Sequence, residues 1–286
     1  MTAPAADIAT FATRDGLQLE YRVHVPQGTA RGGVLIVHGF AEHGLRYRHL
    51  VGGLVPAGYA CMTYDARGHG RSAGRRVFVE RFDEYVDDLA DAVAVARRRL
   101  PAPLFLFAHS MGGLVAIRLL QGQAPALDGV VFSNPSLSAK VSVPLWKVVL
   151  AQVASRAAPG LAVPTGLPAE HISRDPAEVA AYRDDPLVSK VATARWYTEF
   201  LGAQAAATAG PTALAGLPVL ALIGDGDEVI DSAVGLRFFG QVGGATCTIQ
   251  RYPGHYHELV NEPEAARRQV IADVVAWLDT RSPRPS

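Results

Sequence analysis

In the stretch A-H-S-M-G-G (108–113) one hydroxyl stands between an apolar run, Leu104 to Phe107, and two glycines. A serine at the apex of a sharp strand-to-helix turn has its Oγ lifted clear of the backbone, where it can act as a nucleophile. So tight a turn predicts small residues two before and two after the serine, because their Cβ atoms crowd one another. Gly112 meets that need and Gly113 adds a further small residue. Ala108 stands where the pattern G-x-S-x-G has its first glycine, and its single methyl is sterically tolerable. Ser110 also opens a helix, which leaves the Met111 N–H unpaired and facing any negative charge that forms near Oγ. The reading without chemistry is a helix-capping serine. His109 is expected to face away and pack.

A serine nucleophile needs a base, and the base needs a carboxylate to orient it. LPVLALIGDGDEVID (217–231) reads as a buried strand ending in a glycine- and acid-rich turn with three competing acids, Asp225, Asp227 and Glu228. TCTIQRYPGHYHELVNEP (246–263) adds a last strand, a Pro-Gly turn and two histidines, His255 and His257. A tetrahedral oxyanion needs a second amide donor. After GVLIVHG (33–39) the next residue is Phe40, whose N–H is the candidate; the alternative is a plain strand-ending turn. The implied chemistry is acyl transfer with no metal and no cofactor.

The elements that must position these groups are legible from hydropathy. LQLEYRVHVP (17–26) alternates as a half-buried strand does. GVLIVHG, YACMTYD (59–65), PLFLFA (103–108), GVVFSN (129–134) and LPVLALIGD (217–225) are continuous apolar runs, the mark of strands covered on both faces. Between them, Glu84 to Leu100 has helical spacing with arginines at its end, and EPEAARRQVIADVVAWL (262–278) is a final amphipathic helix. Alternation of this kind predicts one α/β domain over 1–286, a mostly parallel central sheet flanked by helices.

From about 136 to 210 the rhythm breaks into prolines, alanines and short helical pieces, which predicts a helical cap inserted before the last two core strands. Its first part, VSVPLWKVVLAQVASRAAPGLAVP (141–164), is strongly apolar. Two readings fit it: a helix packed on the core, or a lid whose apolar face meets a membrane or micelle surface.

Lys+Arg and Asp+Glu both total 27, so no basic field recruits nucleic acid or an anionic membrane. The start lacks the charged and apolar regions of a secretory signal, and no run approaches the roughly 18 apolar residues of a membrane span. Cys61 and Cys247 stand far apart and read as reduced core thiols. A soluble, cytoplasmic protein is expected, at most peripheral at membranes.

With these pieces placed, nearly the whole chain resembles the monoacylglycerol lipase and lysophospholipase branch of the α/β-hydrolase superfamily. HGFAEHGLRY (38–47) is similar to that family's H-G-x-G-E-H-x-x-R-Y, with Ala41 where glycine is usual. YDARGHGRS (64–72) and AHSMGG resemble its D-x-R-G-H-G-x-S and G-H-S-M-G-G, and ISRDPAEVAAYRDDPLV (172–188) its cap-exit segment. The resemblance implies an α/β-hydrolase fold and a triad of Ser110, Asp227 and His257. It implies an oxyanion hole of the Phe40 and Met111 N–H groups. Glu42 and Arg46 match positions near the glycerol end of the pocket, or else brace the oxyanion loop as an ion pair. The implied substrate is a lipid ester, first a monoacylglycerol, with lysophospholipids and short carboxylic esters as alternatives. A hydrolase-fold protein that only binds is the rival from another class.

Overall fold

The computed structural model describes residues 6–123, 125–140, 145–243 and 246–282. Residues 141–144, which open the apolar stretch singled out above, lie outside them, as do 1–5 and the last four of the tail.

Among the described residues, ten strands and eight α-helices follow the chain in the order β1 (Asp7–Ala12), β2 (Gln18–His24), β3 (Gly32–Val37), α1 (Arg48–Leu54), β4 (Tyr59–Tyr64), α2 (Asp83–Arg99), β5 (Leu104–His109), α3 (Ser110–Gly122), β6 (Gly129–Ser133), α4 (Leu145–Ala157), β7 (Ala162–Pro164), α5 (Pro176–Asp184), β8 (Val191–Thr193), α6 (Ala194–Thr208), β9 (Val219–Gly224), α7 (Ser232–Val242), β10 (Cys247–Tyr252) and α8 (Glu264–Asp279). Eight strands form one sheet in the order β1-β2-β4-β3-β5-β6-β9-β10. β1 and β2 pair antiparallel, as do β2 and β4, and every other neighbour is parallel.

Every residue of β3, β4, β5, β6 and β9 is buried, which is why these strands read as unbroken apolar runs. One core, including Leu106, Leu114, Ile117 and Leu89, fills the face covered by α2 and α3. A second, including Ile36, Phe107, Leu50 and Trp277, fills the face under α1 and α8.

The chain runs from β3 outward to β4, then crosses back over β3 to β5. The carboxyl ends of β3 and β5, paired through Val37 and Ala108, therefore border the crevice where the direction of winding reverses. Ser110 and the loop carrying Phe40 both leave the sheet there.

Between β6 and β9 the chain leaves the sheet and builds α4, α5, α6 and a small antiparallel ribbon of β7 and β8. This excursion is tied down by Thr193 Oγ1, which donates to the Val77 carbonyl at 2.7 Å, and by Gln121 Nε2 of α3, which donates to the Ala207 carbonyl at 2.7 Å. Among the described residues, no helix is long and apolar enough to cross a membrane.

Candidate active site

Ser110 has φ +50°, a left-handed conformation that costs a non-glycine residue about 1–3 kcal/mol and persists only when its surroundings enforce it. The surroundings here are glycines. A Cβ on Gly112 would stand 2.5 Å from the His38 carbonyl oxygen and 2.7 Å from that of Val37, and one on Gly113 would stand 2.7 Å from Pro135 Cβ. Gly112 therefore has a reason to be small beyond the one the sequence offered: it lets α3 start against the end of β3. Ala108 is fully buried and its methyl is accommodated.

Ser110 Oγ lies 2.8 Å from Nε2 of His257, and Nδ1 of the same ring lies 2.7 Å from Oδ2 of Asp227. The other Asp227 oxygen accepts from the Val229 and Ile230 N–H groups at 2.7 and 2.9 Å. With a carboxylate facing Nδ1, that nitrogen carries the proton and Nε2 is left to accept from the hydroxyl. All three side chains are buried. Burial alone would push the Asp227 carboxyl up, but the His257 ring and the amides hold it below the usual range. Burial alone would likewise push His257 down. The charge and hydrogen bond of Asp227, followed by Glu258 and Glu42, carry it above the ordinary imidazole value.

The competing residues fall elsewhere. Asp225 pairs with Arg251 at 2.8 Å, Glu228 pairs with Lys140 at 3.1 Å, and His255 turns its Nδ1 to the Pro253 carbonyl. His109 departs from expectation. Its ring borders the cavity and lies 4.8 Å from the His257 ring, with Nδ1 on the Ser133 carbonyl. Burial, then His257, push its pKa down to about 3, so it is a neutral wall of the site.

Among the described residues, the Phe40 and Met111 N–H groups have no hydrogen-bond partner within the protein. Phe40 is held by its neighbours: Gly39 N–H donates to Glu42 Oε1 at 2.6 Å, and the Phe40 ring stacks on Trp196 at 4.2 Å. Ala41 has φ +64°, which explains why the motif it resembles carries glycine at that position.

Ser110 opens onto a cavity of about 620 Å³. Leu150 and Ala154 of α4 and Trp196 and Phe200 of α6 line it, while Glu42 and Glu258 meet it at a polar end.

The sequence profile of the serine aminopeptidase S33 family matches residues 28–264. The chain belongs to that family. A monoacylglycerol lipase from Mycolicibacterium smegmatis is 33% identical over 94% of this chain and 95% of its own. A phospholipase from Bacillus subtilis is 30% identical over 86% of this chain and 94% of its own. The crystal structure of the Paleococcus ferrophilus monoacylglycerol lipase superposes with a TM-score of 0.82 at 31% identity, covering 92% of this chain and 99% of that one. The fold is that of an α/β-hydrolase.

In this S33-family chain two motifs of the resemblance, HGFAEHGLRY and the cap-exit segment that ends in D-P-L-V, meet in space. His43 Nε2 lies 2.9 Å from Asp185 of the D-P-L-V segment, so the loop after β3 is joined to the excursion. Glu42 and Arg46 form an ion pair at 3.1 Å, both buried, with the Tyr47 hydroxyl donating to Glu42 at 2.7 Å. Arg46 reaches on to Glu258 at 2.5 Å. Loop bracing thus accounts for the hydrogen bonds of both residues.

Two residues escaped the sequence reading. Asn134 donates through Nδ2 to the His257 carbonyl at 2.8 Å and accepts from the Gly224 N–H at 2.8 Å, pinning the histidine loop to β9. The polar S-N-P after a strand of pure apolar residues was its only signal. Glu258, next to His257, had none beyond adjacency.

Proposed function

We propose that the protein hydrolyses monoacylglycerols to glycerol and fatty acid. It is a carboxylic ester hydrolase of the serine class. Ser110 Oγ attacks the ester carbonyl carbon while its proton passes to His257 Nε2. Asp227 holds the ring in the tautomer that accepts this proton and stabilises the imidazolium that results. The oxyanion is received by the Phe40 and Met111 N–H groups. Nε2–H then protonates the departing alcohol oxygen as the C–O bond breaks, leaving an acyl-enzyme. Water, deprotonated by the same nitrogen, attacks that acyl group and frees Ser110.

The observation that carries this reading is the hydrogen-bonded line from Asp227 through His257 to Ser110, ending in an apolar cavity. Each acyl CH₂ buried there contributes about 0.8 kcal/mol. The segment from about 136 to 210 serves as the cap over that cavity. On α4, Trp146, Leu150, Val153 and Val149 are 64%, 60%, 56% and 53% exposed, and Leu150 also lines the cavity. That face is suited to transient contact with a lipid surface from which substrate enters.

A lysophospholipid is the second reading, favoured by the Bacillus relative's name. Against it stands the polar end, where two carboxylates face one guanidinium and a phosphate would be repelled. Comparing kcat/KM for a monoacylglycerol, lysophosphatidylcholine and nitrophenyl butyrate separates these. The monoacylglycerol is expected to lead, and a clear lead for the short ester would end the lipase reading. Labelling by a fluorophosphonate, lost in Ser110→Ala, checks the nucleophile; no labelling would instead favour a protein that only binds.

A further inference from the structure

The polar end of the cavity contains one carboxylate oxygen that the protein leaves unused. Glu258 is 4% exposed and lines the cavity immediately after the base His257. Its Oε2 accepts from Arg46 Nη2 at 2.5 Å and from Asn261 Nδ2 at 2.8 Å. Its Oε1 takes no hydrogen bond from the described residues and is not sealed away from solvent. It therefore opens onto the cavity.

Glu42 is different. Its Oε1 accepts from Gly39 N–H at 2.6 Å and from the Tyr47 hydroxyl at 2.7 Å, and its Oε2 accepts from Arg46 Nε at 3.1 Å. Both of its oxygens are occupied by the loop they hold. Arg46, clamped between the two carboxylates, has the Tyr182 ring 4.8 Å from its guanidinium. Of the two carboxylates, Glu258 is the one with an oxygen left free to accept.

We propose that Glu258 Oε1 accepts a hydrogen bond from a hydroxyl of the leaving alcohol, forming a subsite that selects esters of neutral polyols. This rests on the ester-hydrolase reading and adds to it the residue that chooses the alcohol. Glu258 and His257 line the same cavity, and the Glu258 charge acts on the His257 ring, so the acceptor is near the base that protonates the departing alcohol. A buried acceptor left without a donor is unfavourable, so an alkyl alcohol with no second hydroxyl is a poorer leaving partner than glycerol. The surplus carboxylate charge at this end acts against a phosphorylated alcohol, since repulsion is strong where water is excluded.

The test compares kcat/KM for the 1-glyceryl and the methyl ester of one fatty acid. The unaltered protein is expected to favour the glyceryl ester by about 10- to 100-fold, the range of a hydrogen bond to a charged group. In Glu258→Gln that ratio is expected to fall by roughly tenfold. A fall of both esters in step, with the ratio unchanged, would mark Glu258 as a brace for Arg46 and overturn the subsite. Should that variant fold poorly, the unaltered protein decides alone, with the acylated glycerol phosphate of the same chain as a third substrate. Rejection of the phosphate together with preference for glyceryl supports the subsite; equal turnover of all three overturns it and leaves the hydrolase standing. Cleavage of none of them would sink the hydrolase reading itself.

Discussion

Gly112 sits so close to His38 that a Cβ on it would stand 2.5 Å from the His38 carbonyl oxygen. Gly112→Ala must push α3 away from the end of β3 and carry Ser110 with it. A displacement near 1 Å at a reacting atom lowers the rate by about 10²-fold. Overpacking of this kind destabilises by about 1–3 kcal/mol. Steady-state kinetics and thermal unfolding of the purified variant would check both, and unchanged kcat would contradict the account of the turn.

Ala108→Gly is the converse case. The methyl is fully buried, so its loss removes packing and adds backbone freedom. A loss of about 1–2 kcal/mol in stability is expected, with kcat little changed. A large gain in kcat would show instead that the alanine distorts the nucleophile's turn.

Asp227→Asn keeps the shape and removes the charge. An amide nitrogen turned to His257 would favour the ring tautomer with Nδ1 unprotonated, leaving Nε2 unable to take the serine proton. A fall in kcat of about 10⁴-fold is expected, with little change in KM. Substitution of Asp225 or Glu228, which pair with Arg251 and Lys140 instead, should leave most of the activity.

The pH profile follows from the sign of the His257 shift. Its pKa is raised above the ordinary value, and only the neutral ring can act as base. Activity is therefore lost as pH falls through that raised value, and the acid limb of kcat/KM should have its midpoint above about 6.5. The stability contributed by the protonated ring runs the other way. It is complete below the unfolded-state pKa and lost as pH rises through the folded one. Activity measured from pH 5 to 9 alongside thermal unfolding should show the two curves moving in opposite senses for this group.

Arg46 tests loop bracing. It is buried between Glu42 and Glu258, and removing one member of such a set leaves uncompensated charge, at about 3–5 kcal/mol. Arg46→Met is expected to lower the unfolding temperature markedly, while Arg46→Lys recovers part of the loss. Near-normal stability in the methionine variant would contradict the bracing role.

Much of this was legible in the sequence for one reason: the strands that carry the site are buried on both faces. β3, β5 and β9 announced themselves as apolar runs, and the loops at their ends held Phe40, Ser110 and Asp227 in readable order. β1 was missed because, at the sheet's edge, only Phe11 of its six residues is buried, which leaves little pattern to read. β7 is exposed throughout and gave no strand signal either. The choice among Asp225, Asp227 and Glu228 was not readable from residue type, because it depends on which side chain the turn aims inward. Only the resemblance favoured Asp227. Glu258 was invisible for a related reason: what sets it apart from Glu42 is which of its oxygens is already bonded, and no sequence pattern encodes that.

The excursion between β6 and β9 leaves and rejoins the sheet at strands that lie side by side in it. Because those strands run parallel, it leaves at the carboxyl end of β6 and rejoins at the amino end of β9, while the groups proposed to attack, shuttle protons and receive the oxyanion all belong to the frame outside it. A chimera in which this segment is exchanged for that of a relative must therefore match the sheet at both of its ends. Such a graft should inherit its acyl-chain preference from the donor and its chemistry from the host.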